Sequence, residues 1–173
     1  HTDKFQADFT PIYQDDRYAI YKNATSYPRF GLYYQTQEVE NDAEALRLIS
    51  QESLNFRKKL LLHEALPFSL QEGSGSAKLL SSTVNKQRFT IETNQPALFY
   101  ISDTFFPGWH AKVNNQPTKI YRANYNFRAV GVPAGESVIE FSYLPSKFLL
   151  GTSISIFSLI ILTALAIWHK RFL

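Results

Sequence analysis

The side chains best suited to chemistry lie between Asp103 and Arg128, where aromatic, amide and guanidinium groups are concentrated. Aromatic faces stack on sugar rings, while amide and guanidinium groups offer the donors that hydroxyls and phosphates accept. We therefore predict a substrate-binding surface for a sugar or a phosphate in this segment. Its predicted residues are Asp103, Arg122, Asn124, Tyr125, Asn126 and Arg128, with Trp109 and Tyr121 as aromatic faces.

Each of these residues also has a purely structural interpretation. Trp109 and Tyr121 would belong to the core if their strands faced inward. The loop from Arg122 to Asn126 would then serve only to hold itself in place or to face another domain. Asp103 would accept hydrogen bonds from the backbone of the turn at Pro107-Gly108. The sequence leaves these alternatives open.

The sequence contains no recognisable catalytic or metal-binding motif. Its four histidines are scattered, and none has a metal-ligand spacing to another histidine or to a carboxylate. It has no P-loop, dinucleotide fingerprint, nucleophile elbow or HExxH motif, and no cysteine. We therefore predict no catalytic residue, no metal ligand and no cofactor. The net charge of +3 is too small and too scattered for a nucleic-acid partner.

Two turns and two strands must position the predicted surface. Pro107-Gly108 suits the central positions of a tight turn, and Asn114-Asn115 supplies left-handed residues for a hairpin. Between them, Trp109 alternates with its neighbours in the period of two that is typical of a half-buried strand. We expect the return strand at residues 119–121.

The rest of the chain up to residue 146 predicts a mainly β domain. Short alternating segments at regular spacing indicate an antiparallel, jelly-roll-like β-sandwich. One helix interrupts them, capped by Asn41 with Glu44 in a capping box, and Ala43, Leu46 and Ile49 form its predicted apolar face. The glycine- and serine-rich residues 71–76 are interpreted as a loop inside one domain rather than a linker.

A transmembrane helix follows the sandwich. Phe148 to Trp168 contains no charged residue, and as a helix it spans about 31 Å, which matches the hydrocarbon core of a bilayer. Residues 169–171 carry more fixed positive charge than the single Lys147 before the span. This bias favours a cytoplasmic C-terminus. We predict an extracytoplasmic domain over residues 1–146 and a membrane helix with a short basic tail over residues 147–173.

Several segments resemble one family. The run FFPGWHAKVNNQPTKIYRANYNFRAVGVPAG and the earlier IYKNATSYPRFGLYY resemble the C-terminal part of YfhO-type bacterial membrane proteins. These are many-spanning proteins of the GT-C glycosyltransferase type. The absence of an initiator methionine is expected of a piece of a longer protein.

The resemblance implies a function for the parent protein. It implies transfer of a sugar from a polyprenyl-linked donor to a cell-envelope glycopolymer, with the catalytic acidic residues in a region absent from this chain. The fragment itself would be non-catalytic, and its partners would be the missing N-terminal membrane domain, the polyprenyl-linked sugar and the glycopolymer. Two alternatives remain: a membrane-anchored carbohydrate-binding or wall-contact module without associated catalysis, and a structural lid.

Overall fold

The structure is a computed structural model that describes residues 9–51 and 55–171. In this part of the chain it contains thirteen strands and two helices. The elements are β1 (Phe9–Gln14), β2 (Ala19–Asn23), β3 (Phe30–Tyr33), β4 (Gln35–Glu38), α1 (Asp42–Ser50), β5 (Lys59–Leu62), β6 (Gly75–Ser82), β7 (Lys86–Thr93), β8 (Ala97–Thr104), β9 (Trp109–Val113), β10 (Gln116–Thr118), β11 (Tyr121–Ala123), β12 (Phe127–Val132), β13 (Gly135–Tyr143) and α2 (Ser146–Arg171).

Two large sheets form the predicted sandwich. One has the strand order β10-β9-β13-β7-β6, and the other has the order β3-β8-β12-β11-β5-β4. Strands on both sides of the glycine-serine segment, such as β3 and β12, pair with β8 in the second sheet. β1 and β2 form a separate two-stranded sheet. The mainly β fold followed by an apolar helix is confirmed, with one parallel pair, β4 and β5.

The core lies between the two large sheets because their strands alternate apolar and polar side chains. Phe89 and Phe141 from one sheet meet Phe99 from the other, with ring centroids 4.8 to 6.3 Å apart. All three rings are buried. Such aromatic pairs add about 0.5–1.5 kcal/mol each beyond the area they bury.

A second apolar layer covers the outer face of the six-stranded sheet and includes α1. The predicted cap is confirmed, since Asn41 Oδ1 accepts from the Glu44 backbone N–H at 3.0 Å. The predicted apolar face is wrong. Ala45 is the residue that α1 buries, with Ile49 partly buried beside it, and Leu46 is 47% exposed. The helix is therefore rotated relative to the prediction, and Ala45 belongs to one buried cluster with Val39 and Leu61 of the sheet side.

The β9–β10 hairpin has the predicted turn but a different return strand. Asn114 and Asn115 have φ angles of 51° and 65°, as the left-handed turn requires. Because a two-residue turn pairs the strands at once, Gln116 lies opposite Val113. The return strand is therefore Gln116–Thr118 rather than residues 119–121. Tyr121 begins β11 in the other sheet.

Three turns lie together at the end of the sandwich from which α2 departs, here called the helix-proximal end. Tyr143, the last residue of β13, lies opposite Trp109, and its backbone N–H donates to Asn85 O at 2.9 Å. Phe127 lies opposite Thr104. The turns at residues 83–85, 105–108 and 124–126 therefore share this end. The β12–β13 turn before Gly135 lies at the opposite end.

The second helix, α2, is the predicted transmembrane helix. The segment Ser146–His169 has a mean hydropathy of 2.2, and no part of its apolar window is buried against the sandwich. Its 24 residues correspond to about 36 Å of helix, enough to cross a bilayer. In the described part of the chain, this is the one helix that is long and apolar enough to do so.

Candidate functional site

A cavity of about 660 Å³ opens at the helix-proximal end, between the two large sheets. It contains three charged side chains, two from arginine and one from aspartate, among hydroxyl, amide and aromatic groups. The lining residues are Arg29, Ser82, Thr83, Val84, Asn85, Gln87, Ser102, Asp103, Thr104, Phe106, Trp109, Arg128 and Tyr143. Strands β6, β7, β8, β9, β12 and β13 contribute to it, so a rigid scaffold holds most of its walls.

Asp103 is the centre of the polar network in this cavity. Its Oδ1 accepts from Arg29 Nε at 3.2 Å and Nη2 at 3.1 Å. Its Oδ2 accepts from Arg128 Nη2 at 3.0 Å and from Gln87 Nε2 at 2.6 Å. The hydrogen bonds found for this carboxylate thus come from side chains on β7, on β12 and on the residue before β3, rather than from the turn at Pro107-Gly108. Neither Arg29 nor Gln87 belongs to the predicted site residues.

Arg128 lies inside the sandwich, with a side chain that is only 1% exposed. Its guanidinium carbon is 3.9 Å from the centroid of the Trp109 ring and 5.0 Å from that of Phe141. Its Nε and Nη1 atoms find no hydrogen-bond partner among the described residues. Arg128 therefore lines the cavity from inside the sandwich rather than projecting from its outer surface. Val130 and Val132 point into the core, and a period of two from them would have placed Arg128 there.

Trp109 lies between the core and the cavity. It lies on the inward face of β9 with the buried Ala111 and Val113, and it packs against the main core. It is only partly buried, however, and its ring lies 5.2 Å from that of Tyr143 at the cavity wall. Tyr121, in contrast, is buried in the second apolar layer. The structural interpretation is therefore correct for Tyr121.

The loop from Arg122 to Asn126 lies at the same end but outside this cavity. Arg122 pairs with Asp42 of α1 through Nη1 at 3.0 Å, and it also donates to the Tyr125 carbonyl. Asn124 Oδ1 accepts from Leu61 N at 2.9 Å, and Asn124 N donates to Leu61 O at 2.9 Å. These contacts hold the loop against the second apolar layer.

The backbone conformation explains why asparagine occurs at position 124 of this loop. Asn124 and Tyr125 have φ angles of 45° and 75°, a conformation that asparagine tolerates better than most residues. The Asn126 carbonyl accepts from Phe105 N at 2.8 Å. The predicted residues therefore separate into two groups: Asp103 and Arg128 meet in the cavity, whereas the other four lie on the outer side of the six-stranded sheet.

Comparison with known proteins identifies the family. The family model described as bacterial membrane protein YfhO matches residues 63–155. The chain belongs to the YfhO family. The match includes Asp103, Arg128 and the start of α2, whereas Arg29 lies before it. No solved structure matches the chain.

A curated relative agrees with this assignment. The uncharacterized protein YfhO of Bacillus subtilis (strain 168) is 26% identical over 102 residues. The aligned region is 59% of this chain but only 11% of that relative. This YfhO-family chain therefore spans about a tenth of the length of the relative it matches, and the activity of the whole protein is a matter for proposal.

The cavity of this YfhO-family chain has an excess of positive charge. Burial lowers the pKa of the Arg128 guanidinium, and the adjacent Asp103 carboxylate opposes that shift. With Arg29, two cations face one anion, which leaves a net charge of +1 among the lining residues. Arg29 is the accessible cation, because its side chain is 59% exposed. Such a cavity suits an oxyanion that also carries hydroxyl groups.

A smaller cavity of about 310 Å³ lies on the outer side of the six-stranded sheet and is mainly aromatic. It borders the loop from Arg122 to Asn126 through Asn124 and Phe127. Burial raises the pKa of Tyr100, which lines it.

Residues 9–51 and 55–171 contain no group of three histidine or carboxylate side chains close enough to hold a metal ion.

Proposed function

We propose that this chain is the extracytoplasmic C-terminal domain and last membrane helix of a GT-C-like glycosyltransferase. The parent would transfer a sugar from a polyprenyl-linked donor to a cell-envelope glycopolymer. The fragment performs no chemistry itself and helps to position the donor or the acceptor. Membership of a bacterial membrane-protein family and the apolar helix α2 support this proposal.

The observation that carries the proposal is the position of the basic cavity beside the start of α2. A polyprenyl carrier keeps its chain in the bilayer and its phosphate and sugar at the surface. Tyr143 lines the cavity and precedes Ser146, the first residue of α2, by three positions. Arg29 offers a forked donor to a phosphate, and the partly exposed Trp109 offers a ring face to a sugar.

The orientation of the domain is part of the proposal. Residues 169–171 after the span outnumber Lys147 before it in positive charge, and this bias favours a cytoplasmic C-terminus. The sandwich would then lie outside the cell, where an envelope polymer is accessible. Its partner in the same protein would be the upstream membrane domain, which the loop from Arg122 to Asn126 could contact.

The test uses the full-length parent and exchanges single arginines. Arg29→Ala removes the exposed cation of the cavity, while Arg88→Ala, on an exposed position of β7, serves as the matched control. We expect Arg29→Ala to reduce sugar transfer from a polyprenyl-phosphate donor with little change in melting temperature. We expect Arg88→Ala to behave as wild type. Equal activity of the two variants would contradict a role for the cavity.

The second candidate, a carbohydrate-binding module without catalysis, is favoured by the Trp109–Tyr143 ring pair at the cavity wall. It predicts that the chain alone binds purified glycopolymer and that no transfer activity resides in the parent. Titration of glycopolymer into the chain in detergent, followed by Trp109 fluorescence in a Trp168→Phe background, measures this binding directly. Transfer by the purified parent would exclude this candidate.

A further inference from the structure

Exposed apolar side chains mark the helix-proximal end of the sandwich. Val84 at the β6–β7 turn is 92% exposed, and Phe106 at the β8–β9 turn is 57% exposed. Leu144, which follows β13, is 48% exposed. Water-facing turns usually carry polar residues, so three apolar side chains on three separate turns or connections indicate a surface that meets an apolar or interfacial environment.

Backbone hydrogen bonds hold these three positions beside the membrane helix. Tyr143 N donates to Asn85 O at 2.9 Å, which fixes the turn that carries Val84. Leu144 N donates to Gly108 O at 2.8 Å, which fixes the turn after Phe106. Only two residues separate β13 from α2, and they span at most about 11 Å. The sandwich therefore has no linker long enough to move this end away from the bilayer that α2 crosses.

Three exposed cations lie at the same end as these apolar positions. Arg29 borders the cavity, Lys86 follows the β6–β7 turn, and Lys147 lies in the first turn of α2, all of them exposed. The carboxylate of Asp103 in the same region is already paired with two arginines. Exposed apolar residues together with lysine and arginine are typical of surfaces that rest on anionic lipid headgroups.

We propose that the helix-proximal end is a membrane-seating surface. Val84, Phe106 and Leu144 enter the headgroup layer of the bilayer that α2 spans, Lys86 and Lys147 contact lipid phosphates, and Arg29 lies at the mouth of the cavity. Because Val84 and Phe106 also line the basic cavity, its mouth opens at the level of the headgroups. A ligand anchored in the bilayer then reaches the cavity without leaving the membrane surface. This inference is independent of the glycosyltransferase proposal.

The absence of cysteine from the sequence makes the test direct. Val84→Cys and, separately, Phe106→Cys place one environment-sensitive fluorophore on the full 173-residue chain. Ala134→Cys, exposed in the turn at the opposite end, is the matched control. Each labelled chain is placed at one copy per nanodisc, in phosphatidylcholine alone or mixed with phosphatidylglycerol. Lipids that carry a spin label in the headgroup layer are then added as quenchers.

We expect labels at positions 84 and 106 to lose most of their emission, whereas the label at Ala134 keeps its emission. The quenching should be stronger in the anionic nanodiscs. Equal emission at Val84 and Ala134 would overturn the proposal. Equal quenching in both lipid mixtures would contradict the part of it that assigns the cations to lipid phosphates.

Two other occupants of this surface have distinct outcomes. Protection of the Val84 label only when several copies share a nanodisc would assign the surface to a second copy of the chain. Loss of lipid quenching when the same label is placed in the full-length parent would assign it to the parent's other spanning helices. Either result would overturn seating on lipid.

Discussion

Replacement of Asp103 by asparagine tests the polar network of the cavity most directly. The variant keeps the shape of the side chain and one oxygen acceptor but removes the negative charge. Arg128 would then remain as a cation that is 99% buried, with only its Nη2 atom hydrogen-bonded. We expect a large loss of stability, because a buried charge without a counter-charge is strongly unfavourable.

The magnitude follows from the burial of the two partners. Removing one partner of a buried ion pair costs about 3–5 kcal/mol. The Asp103 side chain is 19% exposed, so some water relieves the remaining charge, and the contact of Arg128 with Trp109 compensates part of it. The lower limit, about 3 kcal/mol, therefore applies. This corresponds to a decrease in melting temperature of about 6–12 °C for a chain of this size.

Arg29→Ala is the internal control, since it removes the other cation from the same carboxylate. The Arg29 side chain is 59% exposed, and exposed ion pairs contribute about 1 kcal/mol or less. Thermal unfolding of both variants in detergent, followed by near-ultraviolet circular dichroism, compares them under one condition. Equal melting temperatures for Asp103→Asn and Arg29→Ala would refute the reasoning. The double variant Asp103→Leu/Arg128→Met should recover much of the loss, since apolar replacement of a buried pair is often neutral.

Three further predictions concern other parts of the fold. Trp109→Ala should destabilise the sandwich by about 3 kcal/mol, the lower limit for a large aromatic because the ring is only partly buried; a denaturant midpoint equal to that of wild type would contradict this. Asn124→Ala should cost about 1–3 kcal/mol through the lost bond to Leu61 N and the positive φ, and Asn124→Gly, which tolerates that φ, should cost less in the same denaturation assay. A chain that ends at Tyr143 should be soluble and folded, because α2 is not buried against the sandwich; aggregation or loss of β circular dichroism would show that it is needed.

Local patterns were sufficient for most of the fold. Three features can be recognised from neighbouring residues alone: the alternation in β7 and β13, the Asn114-Asn115 turn and the apolar span of α2. The return strand after Asn115 was misplaced because residues 119–121 look more strand-like than Gln116–Thr118. The geometry of the two-residue turn, rather than strand propensity, decides which residues pair.

The candidate site was predicted less well, because its members are far apart in the sequence. Asp103 and Arg128 were named, but Arg29 is 74 residues from Asp103, and Gln87 is 16 residues from it. Nothing local distinguishes Arg29 from other exposed arginines. For Arg122 and Asn124, the sequence showed polar side chains but not their partners. Arg122 donates to Asp42 of α1, and Asn124 Oδ1 accepts from Leu61 N of β5.

The composition of the cavity is difficult to explain by stability alone. A buried ion pair is weak evidence for stabilisation, since apolar residues of similar volume often do as well. Arg128 also leaves two donors without a hydrogen bond among the described residues, and the same strand face continues with valines that fill the core normally. The Asp103–Arg128 pair nevertheless lies where the sandwich meets the membrane helix. Arg128 holds Asp103 in place, and Asp103 in turn orients the exposed Arg29. This combination of unfavourable burial and a position beside the start of α2 is the reason to propose ligand binding for the cavity rather than for the loop from Arg122 to Asn126.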